Sequence, residues 1–374
     1  MGQASTADRL DAYQRRHRWL GFPIAVLYKF ADDQGNYLAA LITYYAFLSV
    51  FPLLLMASSI LGFVLKGNQE LQQTILDSAL GQFPVIGDQL GTPGGLQGNT
   101  VAVVIGAVGV LYGALGVAQA TQNAMNIAWA VPRNKRPNPI TVRVRSMLLL
   151  ATSGIAILLT TFLSAIGSNT MMFGVELGAW FGFLVSMLSV ALHAAVFVLL
   201  FRLATTHKHS LKRAVPGAVF AAIVWQGLQL IGSVYVRHVI DNATLAYGTF
   251  AVVLGMIAWI YLGAMTVVLG VEINVVKAHR LHPRALLTPF TDNVDLTEAD
   301  QRAYSDYAEA QRSKGFQQVD VRFKHAGQYA SAQRRAKSAA GSAGEGPPVQ
   351  AYGDYIDPLD KPALGSDAKP HTHH

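Results

Sequence analysis

Six stretches nearly free of charge, at about residues 38–65, 101–131, 147–167, 177–200, 214–236 and 248–271, limit what this chain can fold into. At about 1.5 Å of rise per residue, a helix over each crosses a hydrocarbon core of about 30 Å. Inside such a core the backbone must satisfy its own hydrogen bonds, and a continuous helix does so. Six such runs would leave a soluble fold too little polar surface. The expected fold class is therefore an all-α integral membrane protein with six transmembrane helices.

The basic residues sort themselves around those runs. Arg9, Arg15, Arg16, Arg18 and Lys29 precede the first, and Arg133, Lys135, Arg136, Arg143 and Arg145 follow the second. Arg202, Lys208, Lys212 and Arg213 follow the fourth, and Lys277, Arg280 and Arg284 follow the sixth. The alternate gaps hold Lys66 against Glu70, Asp77 and Asp88, then Glu176, then Arg237 offset by Asp241. Because Lys and Arg are retained on the inner side of a membrane, both termini are expected to be cytoplasmic. The formal net charge of +7 is accounted for by this topology, so no nucleic-acid partner is expected.

Three parts are expected: an interfacial N-terminal segment at 1–36, a membrane domain at 37–285 and a disordered cytoplasmic tail at 286–374. Leu71, Ile75, Leu76 and Leu80 recur at helical spacing before Phe83-Pro84, which predicts a short amphipathic helix on the outer surface. The tail is rich in Ser, Ala, Gly, Gln and charge without an apolar period, too little to offset chain entropy. The first apolar run lacks a small-residue cleavage site and is expected to stay in the mature protein. The chain has no cysteine, which removes disulfides, thiolate nucleophiles and sulfur ligands. His371, His373 and His374 at the end of the tail are read as incidental, and neither metal nor cofactor is expected.

Polar side chains inside the spans are the best functional pointers, because in lipid each must find a partner or line a wet cavity. Gln119, Gln122, Asn123 and Asn126 are spaced i, i+3, i+4, i+7 and share one face of the second span. The same span carries Gly106, Gly109, Gly113 and Gly116, small residues that let a neighbouring helix approach closely. Gln226, Gln229 and Ser233 form a second stripe, and Tyr44, Tyr45 and Ser49 precede a kinking Pro52. Taken singly, each is an interhelical hydrogen bond worth about 0.6 to 2 kcal/mol; taken together, the four amides suit a polar groove. His193 is the titratable group deepest in a span, and Glu272 closes the sixth, each without a carboxylate partner nearby in the sequence. That poverty of acids argues against a proton-coupled pump.

Tyr44-Tyr45-Ala46-Phe47-Leu48-Ser49-Val50-Phe51-Pro52-Leu53 resembles the signature of the YihY/BrkB-like family of bacterial inner-membrane proteins. Tyr247-Gly248-Thr249-Phe250, Trp259-Ile260-Tyr261 and Gly270-Val271-Glu272-Ile273-Asn274 are similar to its YGS, WLY and GAELN stretches, and Asn123, Asn126 and Trp129 fit its second span. The resemblance covers about residues 30–285. It implies a six-helix domain in the bacterial cytoplasmic membrane and a family linked to envelope integrity, serum resistance and lipid export. Some members were once labelled a ribonuclease. No carboxylate cluster, phosphate loop, HExxH or serine elbow supports hydrolysis here, so no enzyme and no catalytic residue is expected.

The resulting expectation is a transporter or flippase-like protein for a lipid or lipid-linked envelope component. Gln119, Gln122, Asn123, Asn126, Tyr44, Tyr45, Pro52, Gln226, Gln229, His193 and Glu272 are its path residues, and Arg143, Arg145, Lys212 and Arg213 hold headgroups. The alternatives are a non-transporting scaffold for envelope assembly and, last, a membrane-associated ribonuclease. Membrane lipids are the expected partners, with a second copy or envelope-assembly proteins beside them, since the glycine steps suit contacts within or between subunits equally.

Overall fold

A computed structural model of the chain describes residues 6–64, 100–168, 179–206, 210–235, 249–291 and 294–323. The expected outer amphipathic helix, Glu176, Arg237 and Asp241, and the tail from 324 with its histidines lie outside the described residues, as does the side chain of Ser233. The chain divides into a large unit, Met1–Phe290 with Leu296–Arg322, and a small one, Thr291–Asp295 with Phe323–His374.

Nine α-helices and no strand occur among the described residues: α1 (Thr6–Arg16), α2 (Arg18–Asp32), α3 (Gly35–Val64), α4 (Thr100–Ala128), α5 (Pro139–Ser168), α6 (Ala179–Ala204), α7 (Leu211–Tyr235), α8 (Thr249–His279) and α9 (Glu298–Ala310). Five of them, α3, α4, α6, α7 and α8, contain windows long and apolar enough to cross a membrane. The third expected span falls in α5, which is 30 residues long but opens with Arg143 and Arg145 and is not among those five. Large apolar side chains such as Leu158, Leu230 and Phe250 face outward from the long helices, as lipid-facing surfaces do.

The six long helices pack in a closed cycle, each beside the next in the chain and α8 back against α3. The small-residue stripe of α4 meets α3, as the glycine spacing requires. A Cβ at Gly116 would stand 2.2 Å from Tyr45 Cδ1, one at Gly113 2.5 Å from Ser49 Cβ, and one at Gly109 2.6 Å from Pro52 Cγ. The register runs antiparallel and excludes any side chain larger than hydrogen at those positions.

Among the described residues, complete burial is concentrated at one end of the bundle. Ala25 of α2, Met125 and Ala128 of α4, Phe201 and Ala204 of α6, Ala214 and Ala218 of α7, and Val271, Val275 and Val276 of α8 form one cluster with Leu281 and Ala303. At this end α4 also touches α6 and α8, and α2 packs on α8, so the cycle is closed there.

Within the tail expected to be disordered from 286, the described residues include a helix. Residues 298–310 form α9, started by a capping box in which the Thr297 side chain accepts from Asp300 N at 3.1 Å and Asp300 Oδ2 accepts from Thr297 N at 3.0 Å. Polar composition hid the helix, whose buried face is mostly alanine, Ala299, Ala303 and Ala310.

Candidate functional site: a buried charge cluster at the closed end

α4 ends with Ala130 in the left-handed region at φ 48°, and Val131 N closes back on the Asn126 carbonyl at 2.8 Å. That turn leaves the Ala128 carbonyl without an intrahelical donor. Lys29 of α2 supplies one, its Nζ donating to Ala128 O at 3.0 Å. The same ammonium donates to Asp33, one turn further along, and lies 3.7 Å from Glu272 Oε2 of α8. The three side chains are 2 %, 1 % and 0 % exposed. The Tyr307 ring of α9 covers them, with Nζ 4.9 Å from its centroid.

Burial alone would drive the proton off Lys29, but the Glu272 and Asp33 carboxylates outweigh it and hold the pKa above the ordinary lysine value. Burial raises Asp33 above the usual carboxylate range despite the pull of Lys29. Burial, with Asp33 nearby, also pushes the Tyr307 phenol up.

A second buried cation braces the cluster from the chain that follows α8. Arg284 Nε donates to Asp300 of α9, and its Nη2 donates to Asp32 of α2 at 3.1 Å. Asp300 also accepts from Ala285 N at 3.0 Å, and Asp11 of α1 accepts from Leu286 N at 2.9 Å. Gln14 donates to the Arg284 carbonyl at 2.5 Å and Tyr28 to the Leu286 carbonyl at 2.6 Å. α1, α2 and α9 are thus clasped onto one short segment. Burial opposes the charge of Arg284, and the bond to Asp300 more than restores it, raising its pKa overall.

Beside the cluster is a pocket of about 310 Å³ lined by Trp129, Lys135, Thr206, His279, Asp306 and Glu309, among others. His279 Nδ1 is 3.0 Å from Asp306 Oδ2. Among the described residues no group of three or more His, Cys, Asp or Glu converges as metal donors.

The amide stripe of α4 is divided among separate neighbours. Gln122 is buried and donates to Ser146 Oγ at 2.8 Å and to the Val142 carbonyl at 3.2 Å. Asn123 accepts from Arg136 Nη1 at 3.3 Å, and Asn126 accepts from Thr206 N at 3.1 Å, while Gln119 is exposed. Tyr44 is exposed, whereas Tyr45 and Pro52 pack on the α4 glycines. Gln226 and Gln229 are half-buried, and Gln226 Oε1 has no hydrogen-bond partner among the described residues. His193 is buried with Nδ1 2.8 Å from the Ser189 carbonyl of its own helix. Arg145 reaches Thr206 Oγ1 at 3.4 Å, and Arg143, Lys212 and Arg213 stand exposed at the closed end.

Glu272 departs most from its sequence reading: the fold brings Asp33 to the ammonium it pairs with, so it does have acidic company. Lys29, read as a topological flank, is the centre of the cluster. The Gly270–Asn274 stretch is explained in the same way. Gly270 permits a close crossing with α7, Glu272 enters the cluster, and Asn274 Oδ1 accepts from Gly217 N at 2.8 Å.

The chain is 27 % identical over 296 residues to a UPF0761 membrane protein of Psychrobacter sp. (strain PRwf-1), covering 75 % of this chain but only 53 % of that protein. It is 25 % identical over 280 residues to a UPF0761 membrane protein of Pseudoalteromonas translucida, covering 71 % of this chain and 91 % of that one. A Bacillus subtilis relative named ribonuclease-like protein YfkH is 27 % identical, covering 69 % of this chain and 94 % of its own. No solved structure matches the chain. The family model described as virulence factor BrkB matches residues 26–293, from the helix that carries Lys29 to beyond the segment that carries Arg284. This membrane protein therefore belongs to the BrkB family.

Proposed function

We propose that this protein moves a lipid or lipid-linked envelope component across the bacterial cytoplasmic membrane, as a transporter or flippase-like protein. The observation that carries the reading is a ring of six helices with polar side chains along its spans. Six helices in a cycle are sealed at one end by a buried ionic cluster, while polar side chains continue along the spans beyond it, Gln226 with an unpaired buried oxygen among the described residues. A structure held together only for its own sake has little use for an unpaired amide oxygen at membrane depth.

The closed end is the cytoplasmic one in this reading, because Arg143, Arg145, Lys212 and Arg213 gather there and suit anionic headgroups. Of the expected path, Gln226, Gln229 and His193 keep that role. Gln122, Asn123 and Asn126 are used in packing, so they shape the bundle around the path.

The test is reconstitution of purified protein in liposomes, following fluorescent phosphatidylglycerol and a polyprenyl phosphate between leaflets beside Gln226→Leu/Gln229→Leu and empty vesicles. Movement above the empty vesicles that the double variant loses is the expected result. Absence of movement with folded protein turns the reading towards a scaffold for envelope assembly.

A further inference from the structure

Lys29 is one ammonium facing two buried carboxyls, Asp33 and Glu272. The groups around it leave the imbalance in place. Asp32 on α2 is turned to Arg284, the other fully buried Lys or Arg side chain among the described residues, and Arg284 is already met by Asp300 of α9. Tyr307 of α9 offers a neutral ring and a phenol beside Asp33, neither of them a second cation, and α4 offers the Ala128 carbonyl, a further partial negative charge. On α8, His279 is paired with Asp306.

An uncompensated carboxylate out of water costs several kcal/mol, and two carboxyls sharing a site hold a proton between them before they both ionise. A second observation points to the same place. Both oxygens of Glu272 are buried and neither has a hydrogen-bond partner among the described residues. Glu272 meets the ammonium through the 3.7 Å ion pair and takes no backbone donor.

We infer that the Asp33–Glu272 carboxyl pair beside Lys29 is a proton-binding site, and that its proton is the coupling ion of the transport cycle. This rests on the transporter reading above. With the end sealed, the pair and Lys29 are neutral together: one carboxylate, one carboxylic acid, one ammonium. When α2 and α9 part from α8, water enters, the acid ionises to carboxylate and the proton leaves to the compartment on that side. A proton taken up from the opposite compartment restores the acid before the end reseals, so that one proton crosses per cycle. The sequence alone argues against such coupling, because the spans are poor in acids; Lys29 and Asp33 are far from Glu272 along the chain and meet it only in the fold.

The experiment uses the full chain in bilayers and reads two signals. Infrared spectra through a pH titration are expected to show the carbonyl stretch of a protonated, water-shielded carboxyl at neutral pH, lost in Glu272→Gln and shifted in Asp33→Asn. Absence of that band, or its persistence unchanged in both variants, overturns the proton site. In vesicles carrying fluorescent phosphatidylglycerol, an imposed pH gradient is expected to change the rate of movement several-fold, and Glu272→Gln to abolish that response. Movement indifferent to the gradient overturns coupling while the transporter reading stands. No movement at all overturns that reading and coupling with it, and the infrared signal still decides the proton site.

Discussion

Gly217 of α7 and Gly270 of α8 cross so closely that a Cβ on Gly217 would stand 1.8 Å from the Gly270 carbonyl oxygen. The crossing also lets Gly217 N donate to Asn274, one turn beyond Gly270. Since the obstacle is backbone, no rotamer change relieves it.

Gly217→Ala is therefore expected to force the two helices apart and to lower stability by at least the about 1–3 kcal/mol of a core overpacking. Gly154→Ala and Gly227→Ala, which meet nothing within 4 Å, are the matched controls and should melt like the wild type. Thermal unfolding in detergent, followed by size-exclusion recovery, separates the two groups.

Arg284→Ala should release α9. Asp300, fully buried, would lose its cation, and breaking one partner of a buried pair typically costs about 3–5 kcal/mol. Limited proteolysis is the readout: faster cleavage between residues 286 and 310 is expected in the variant, with the membrane helices still protected.

Alkali should loosen the same end. Lys29 and Tyr307 both have folded pKa values above their ordinary ones of 10.5 and 10.0. Stability from a raised pKa is fully present below the unfolded value and is lost as pH rises through the folded one. Melting temperature is thus expected to fall once pH passes about 10, with the fall reduced in Tyr307→Phe. A melting temperature flat across that range in the wild type would contradict the cluster's burial.

Along α4, single replacements by leucine should differ although the four amides look alike in sequence. Asn126→Leu strands the Thr206 N–H, a loss of about 1–3 kcal/mol, whereas exposed Gln119→Leu should change melting little. Equal effects at the two positions would show that the stripe acts as one unit.

What the residues determine by themselves is local and periodic. Long runs without charge suit helices in a membrane, because each helix satisfies its own backbone there, and glycines four apart allow a close neighbour. Both were legible, down to the face of α4, although which helix would fill it was not. The tertiary structure decided the rest. Lys29 has the look of a topological flank until α2 folds back onto α8 and places it against Glu272, a distant residue in the chain. The Thr297-Glu298-Ala299-Asp300 start of α9 is a readable cap, yet only the buried Arg284 supplies the partner that makes a polar, alanine-faced helix dock. Charge pairing between distant segments leaves no period in a sequence, since its energy depends on burial and on approach within a few ångströms, and both exist only once the chain has folded.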